Sequence, residues 1–383
     1  MRTFFEKFCH AFAGTLFCIN MQLAEAQTAP SMPDTEILIG QSCQLSGPLA
    51  ALSSEVRQGA SLYFDHINAN GGIRGRKIRV IALDDAYDPK KAEENTRILI
   101  EQEKVLALFQ YAGTPPALAA LPLVEETGIP FIAPFTGSDT LRKKFSRNVF
   151  NIKAGYSAEL TAMIKQLATI GITKVAVAYL NSPFGIGGLA SVEESAKLNR
   201  VSLVAQAALE VDGSKMSQAV EQIGKSAPQA IIVVSAGKPS IDFVDAYLKA
   251  GYRSTFYMLS VISNTQLVAA LGDRARGIVV SQVVPSPWNQ GISVSREFQV
   301  LAAKQGIKNF TFSHMEGFIS AKFLVEGLRR AGNKPTRESL ILGLETMKMV
   351  DLGGYSVELS AEQHSSGKFV DLLILGPNGK FTK

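Results

Sequence analysis

Cysteine is scarce: the chain has three in 383 residues, Cys9, Cys18 and Cys43. Two of them lie close to the N-terminus, so a disulfide-stapled scaffold is excluded. A chain of this length buries enough apolar surface without staples. Histidine is also sparse, with four residues, His10, His66, His314 and His364, at no spacing suited to a metal. Trp288 is the one tryptophan. Charged residues make up 19% of the chain, and the net charge is only +5. No long basic run occurs, which argues against a nucleic-acid partner. The densest cluster, Arg142-Lys143-Lys144, reads as a solvated loop or a contact with a partner. After the N-terminus no apolar run approaches the ~20 residues needed to span a membrane. A P-loop lysine motif and a G-x-S-x-G elbow are both missing.

The N-terminus is distinctive. Arg2 and Lys7 precede an apolar stretch, Phe8 to Leu23, and Ala24-Glu25-Ala26 has the form of a signal-peptidase site. Cleavage after Ala26 removes Arg2, Lys7, Glu6 and Glu25, so the net charge stays at +5. Phe17 precedes Cys18 where a lipoprotein signal would place a small residue, so lipidation is not expected. The mature chain would start at Gln27, outside the cytoplasm, with Cys43 as its only cysteine. At the end of the first strand, Cys43 reads as a small buried hydrophobe.

Apolar strands and amphipathic helices alternate along the rest. The first series has strands at 36–43, 78–83, 105–109 and 130–133, with helices at 55–70, 90–103 and 115–127. A second series has strands at 174–180, 202–209, 230–234, 255–259 and 277–284. Its helices fall at 157–170, 187–199, 215–226, 239–250 and 265–271. The strands are continuous apolar runs, as expected of parallel strands covered on both faces. Each series is long enough for an open doubly wound sheet. The C-terminal part differs: helices at 294–305, 315–331 and 336–346, then strands at 355–359 and 369–375.

The most informative stretch runs from Asn70 to Pro89. Gly71, Gly72 and Gly75 punctuate a turn after a helix. The strand Ile78 to Leu83 follows and ends in Asp84 and Asp85. Asp88-Pro89 then opens the next helix. This "NGGI-G-K" turn and "DDA-DP" strand end resemble the corresponding segment of the branched-chain amino acid binding proteins. Those are the solute receptors of ABC importers with the type I periplasmic binding fold. The resemblance covers about Ile37 to the C-terminus. It implies an α/β fold of two doubly wound parallel-sheet lobes joined by a three-crossing hinge, with crossings near Lys153, Val284 and Val350. Residues 34–153 and 285–350 would form the first lobe, and residues 154–284 and 351–383 the second. It also implies a monomeric periplasmic protein that binds a small molecule and hands it to ABC permease subunits. Neither catalysis nor a cofactor is implied.

In open α/β sheets, ligands bind beyond the carboxyl ends of the strands, where helix N-termini supply positive charge. Three loops of the first lobe qualify: Gln44-Leu45-Ser46-Gly47-Pro48, Gln110-Tyr111-Ala112-Gly113-Thr114, and Phe135-Thr136-Gly137-Ser138. The Thr114 and Thr136 hydroxyls beside glycines suit a carboxylate, and each also suits ordinary capping or turn formation. The family resemblance places ligand contacts on or beside Thr114 and Phe135 to Gly137, and an aromatic contact at Phe184. Ser46, Tyr111, Ser235 and Ser260 complete the expected site. Amino acid binders of this family carry a glutamate after the strand that here ends at Leu259. This chain has Ser260 there, and Ser235-Ala236-Gly237 where those proteins have a tyrosine. A desolvated ammonium without an anionic partner is costly by several kcal/mol. The expected ligand is therefore a carboxylate without an α-amino group, with an amino acid as the alternative.

Two other constellations compete. Gly185-Ile186-Gly187-Gly188-Leu189-Ala190, with Glu210 downstream, matches a dinucleotide-binding fingerprint. Its first glycine lies too far past Leu180 for the tight turn that the motif needs. Asp84 and Asp85 could be metal ligands or an acid–base pair, or structural residues of a strand end. On fold grounds a ligand-sensing subunit or a doubly wound enzyme remains an alternative to transport.

Overall fold

The computed structural model describes residues 35–47 and 49–382. The signal segment, its cleavage site, Cys9, Cys18 and Pro48 lie outside the described residues. The first sheet contains β1 (Glu36–Cys43), β2 (Lys77–Asp84), β3 (Ala107–Phe109), β4 (Phe131–Ile132) and β5 (Val149–Phe150), ordered β2-β1-β3-β4-β5 and all parallel. Between these strands run α1 (Ala50–Ala69), α2 (Pro89–Glu101), α3 (Thr114–Thr127) and α4 (Thr140–Lys143).

The chain then enters the second lobe through α5 (Tyr156–Thr169), β6 (Lys174–Leu180), α6 (Pro183–Leu198), β7 (Ser202–Leu209), α7 (Met216–Lys225), β8 (Ala230–Val234), α8 (Gly237–Lys249), β9 (Thr255–Met258), α9 (Asn264–Leu271) and β10 (Val279–Gln282). α10 (Ser293–Lys304), α11 (Phe312–Arg330) and α12 (Arg337–Glu345) return to the first lobe, where α11 packs along α1. A hairpin follows, β11 (Val350–Asp351) with β12 (Ser356–Val357), and finally β13 (Asp371–Leu375) and β14 (Phe381–Thr382). The second sheet is ordered β14-β13-β10-β9-β8-β6-β7; β13 alone runs against the others and pairs antiparallel with both β10 and β14.

β8, Ala-Ile-Ile-Val-Val, is buried at every position, because helices cover both faces of its sheet. The segment 355–359, expected to join the second sheet, instead pairs within the hairpin. Gly353 and Gly354 reverse the chain there at φ of 101° and 98°, values that glycine adopts without strain. Leu352, Tyr355, Val357 and Leu359 pack into the same core as α10 to α12. Residues 151 and 365 form a parallel bridge, so the first passage between the lobes and the last run side by side. A Cβ on Gly367 would overlap the Lys153 backbone, which shows how closely the two passages touch.

Several helices begin earlier than expected, most of all α1 at Ala50 and α6 at Pro183. In α6, Ser182 caps the end and Pro183 sits in the first turn. The fingerprint Gly185 to Ala190 therefore lies inside a helix, and forms no phosphate-cradling turn. Its glycines allow close packing instead: a Cβ on Gly185 would meet the Leu180 carbonyl, and one on Gly188 the Val234 side chain.

Candidate ligand site

Each sheet reverses its strand order once, between β1 and β3 in the first and between β6 and β8 in the second. Such switch points open a crevice at the carboxyl edge of a sheet. The two crevices face one another across a narrow cavity of about 20 Å³, with room in this closed arrangement for little more than a water molecule. The first lobe lines it with Gln44 after β1, Tyr87 after β2, Ala112 to Thr114 after β3, and Phe135 after β4. Leu49, Leu52 and Ser53 come from the start of α1. The second lobe adds Tyr156, Phe184, Ala236 and Val261.

Five helices start at this cavity. Leu49, Gly113 and Ala236 are the N-caps of α1, α3 and α8, Tyr156 is the first residue of α5, and Phe184 lies in the first turn of α6. Their positive ends point the field of the site toward an anion. α3 offers few amides, because Pro115 and Pro116 follow Thr114 and have no N–H. Its hydroxyl matters more for that reason. Thr114 Oγ1 and Thr136 Oγ1 lie 2.8 Å apart, and Thr136 Oγ1 accepts the Ser138 N–H at 3.1 Å. Gly113 stands at φ 96°. A Cβ there would overlap the Tyr87 ring.

Side chains lining the cavity carry no charge. The charges lie one layer behind. Lys153, on the first passage, pairs with Glu316 of α11 at 2.9 Å, with both side chains under a tenth exposed. Its ammonium also lies 4.5 Å from the centre of the Phe135 ring, a cation–π contact. Burial pulls the Lys153 pKa down, but Glu316, Tyr156 and Glu159 outweigh it and hold the ammonium protonated. Arg142 donates to the carbonyls of Ser138, Thr136 and Lys153 at 2.7, 3.1 and 3.3 Å. It thereby ties the loop after β4 to the first passage. Glu159, in the first turn of α5, is fully buried. It accepts the Ser260 N–H at 3.0 Å, the Ser260 hydroxyl at 3.1 Å and the Ser281 hydroxyl at 2.5 Å. Burial pushes its pKa up, and Lys153 and these donors oppose the rise.

Three expected site residues, Thr114, Phe135 and Phe184, line the cavity. Thr136 and Gly137 lie just behind: Thr136 bonds Thr114, and the Gly137 carbonyl accepts the Tyr156 N–H at 2.7 Å. Ser235 is buried beside Ala236, and its hydroxyl has no partner. The other three are directed elsewhere. Ser46 is exposed and donates to Asp84 at 2.6 Å. Tyr111 turns into the core, its hydroxyl 3.0 Å from Thr96 Oγ1. The Ser260 hydroxyl is taken by Glu159. Asp84 and Asp85 serve the strand end. Burial tends to raise the Asp84 pKa, but bonds from Ser46, Leu45 and Ala86 keep it lowered. Asp85 accepts Ser42, Gln44 and the Tyr87 N–H. Among the described residues, no cluster of three or more metal-binding side chains occurs. The sequence reading missed Tyr87, Tyr156 and Glu159. A glutamate one turn from Tyr156, on the apolar face with Leu160 and Met163, was the available signal.

Residues 36–368 match the profile of the periplasmic binding protein family. The chain belongs to that family, whose members bind small molecules and work with ABC transporters. It is 26% identical over 248 residues to "Leu/Ile/Val-binding protein homolog 7" of Brucella abortus. That alignment takes in 62% of this chain and 61% of the relative, so the chain spans about three fifths of the curated relatives it matches. Its fold is similar to that of a substrate-binding periplasmic protein from Ralstonia solanacearum, with a TM-score of 0.85 and 32% identity over 90% of this chain and 99% of that one. A possible leucine/isoleucine/valine-binding protein from Rhodopirellula baltica gives 0.86 and 26%, over 92% and 98%. The family implies export to the periplasm. No helix among the described residues is long and apolar enough to cross a membrane.

Proposed function

We propose that this protein is the exported solute-binding component of an ABC importer, and that its lobes close on a small organic acid lacking an essential ammonium. One observation supports this most: five helix starts and four aromatic rings surround a cavity with no charged side chain. An anion gains from the helix ends and from the Thr114 hydroxyl. An ammonium would meet no carboxylate along the lining. Tyr87, Phe135, Tyr156 and Phe184 suit a planar or apolar body.

An amino acid ligand is the second reading, and Glu159 favours it, because that carboxylate sits where Ser260 replaces the family's glutamate. Three donors already occupy it. Serving an ammonium would mean giving some of them up, at ~1.5–3 kcal/mol for each bond to a charged group.

A thermal-shift screen separates the two, since a ligand at 100 times its Kd adds ~2.7 kcal/mol. Benzoate, phenylacetate and short aliphatic acids are to be set against leucine, isoleucine and valine. The expected result is stabilisation by an amine-free acid, with Thr114→Ala weakening it about tenfold in calorimetry. Submicromolar leucine binding by the wild type would sink the acid reading. The transport role is tested by import of the identified acid in cells with and without this gene.

Two further results are expected. N-terminal sequencing of exported protein should begin near Gln27; Met1 retained in a cytosolic fraction would contradict export. Small-angle scattering should show a smaller radius of gyration once a verified ligand is bound, and an unchanged radius would argue against closure.

A further inference from the structure

Glu55 lies in α1, just beyond Leu52 and Ser53 and outside the cavity lining. Its carboxylate is shared between the lobes. From the second lobe it accepts the hydroxyls of Ser263 at 2.6 Å and Thr265 at 3.5 Å. From the first it accepts Thr311 at 2.8 Å. Ser263 is the N-cap of α9 and Thr311 the N-cap of α11. Each hydroxyl thus accepts a bond from its own helix and donates one to the same carboxylate. The positive ends of two helices, one from each lobe, converge on it. His314 is held by Thr311 and Gln58. Burial lowers its pKa to about 4, so it stays neutral at neutral pH. Separating the lobes would strip the carboxylate of Ser263 and Thr265 and leave it with Thr311, Ser313 and water.

We infer that Glu55 is a positioning residue that sets affinity from outside the cavity: its carboxylate, shared by the caps of α9 and α11, latches the closed lobes and slows solute release. The link to solute release rests on the proposed function; the latch itself requires no ligand.

The test therefore uses ligand-free protein. Spin labels on Lys91→Cys and Glu194→Cys, one exposed helix site in each lobe, report the interlobe distance. Polyethylene glycol is then added to draw water from the cleft and favour closure. Glu55→Ala should reduce the closed-to-open ratio about three- to tenfold at a given concentration, with Glu55→Gln intermediate. Ser263→Ala removes the same bond from the opposite lobe and should act in the same direction, which covers the case that Glu55→Ala does not fold. Superimposable distributions for wild type and variants, or easier closure in the variants, would overturn the latch. Failure of benzoate and the other acids to bind would overturn only the ligand reading.

Discussion

Glu316→Ala should destabilise the protein by about 3–5 kcal/mol, the range expected for breaking a buried ion pair from one side. The substitution leaves the Lys153 ammonium buried beneath Phe135 without its 2.9 Å partner. Glu159 cannot replace Glu316, because its oxygens are engaged by Ser260 and Ser281. Thermal and denaturant unfolding would measure the loss. Replacing both residues, as Lys153→Met with Glu316→Leu, should recover much of it, since an apolar pair of similar volume leaves no charge stranded. A loss under 1 kcal/mol for Glu316→Ala would show that water reaches Lys153.

Gly59→Ala should be nearly as severe. A Cβ at Gly59 would overlap the His314 carbonyl of α11, and one at Gly317 would overlap the Val56 carbonyl of α1. The two glycines let the helix backbones touch in both directions. Overpacking a core costs ~1–3 kcal/mol when side chains can yield. Here the obstacle is backbone, so about 3 kcal/mol or more is expected from Gly59→Ala or Gly317→Ala. α1 carries the half-buried Glu55 and α11 the buried Glu316, so parting these helices disturbs both carboxylates. Retained stability in either alanine variant would show that the helices can slide apart freely.

Much of this architecture was legible because its strands are continuous apolar runs. β1, β6, β7 and β8 were bounded correctly for that reason. Helix starts were harder to place. α6 opens on Pro183 and contains glycines chosen for packing, which read as a loop. Site loops could be placed because strand ends and glycines mark them, and Thr114, Phe135 and Phe184 reached the cavity. Tyr111 did not. Gln110 takes φ 48° just before it, a bend that residue preferences do not reveal. The buried charges were the least legible. Lys153, Glu159 and Glu316 lie far apart in sequence, and each looks like an ordinary polar residue until the fold brings them together.

The chain's path between the sheets also governs the order in which the molecule can be assembled. The first lobe keeps a gap along α1 until α11 is made, more than two hundred residues later. The second sheet is completed only by β13 and β14 at the extreme C-terminus. A chain emerging from the ribosome N-terminus first can therefore finish neither core early, and a folding unit usually closes only when its last element is present. Interleaving the two lobes in sequence delays completion of both cores until the late elements are made, which would leave the nascent polypeptide incompletely folded and still fit for threading through an export channel.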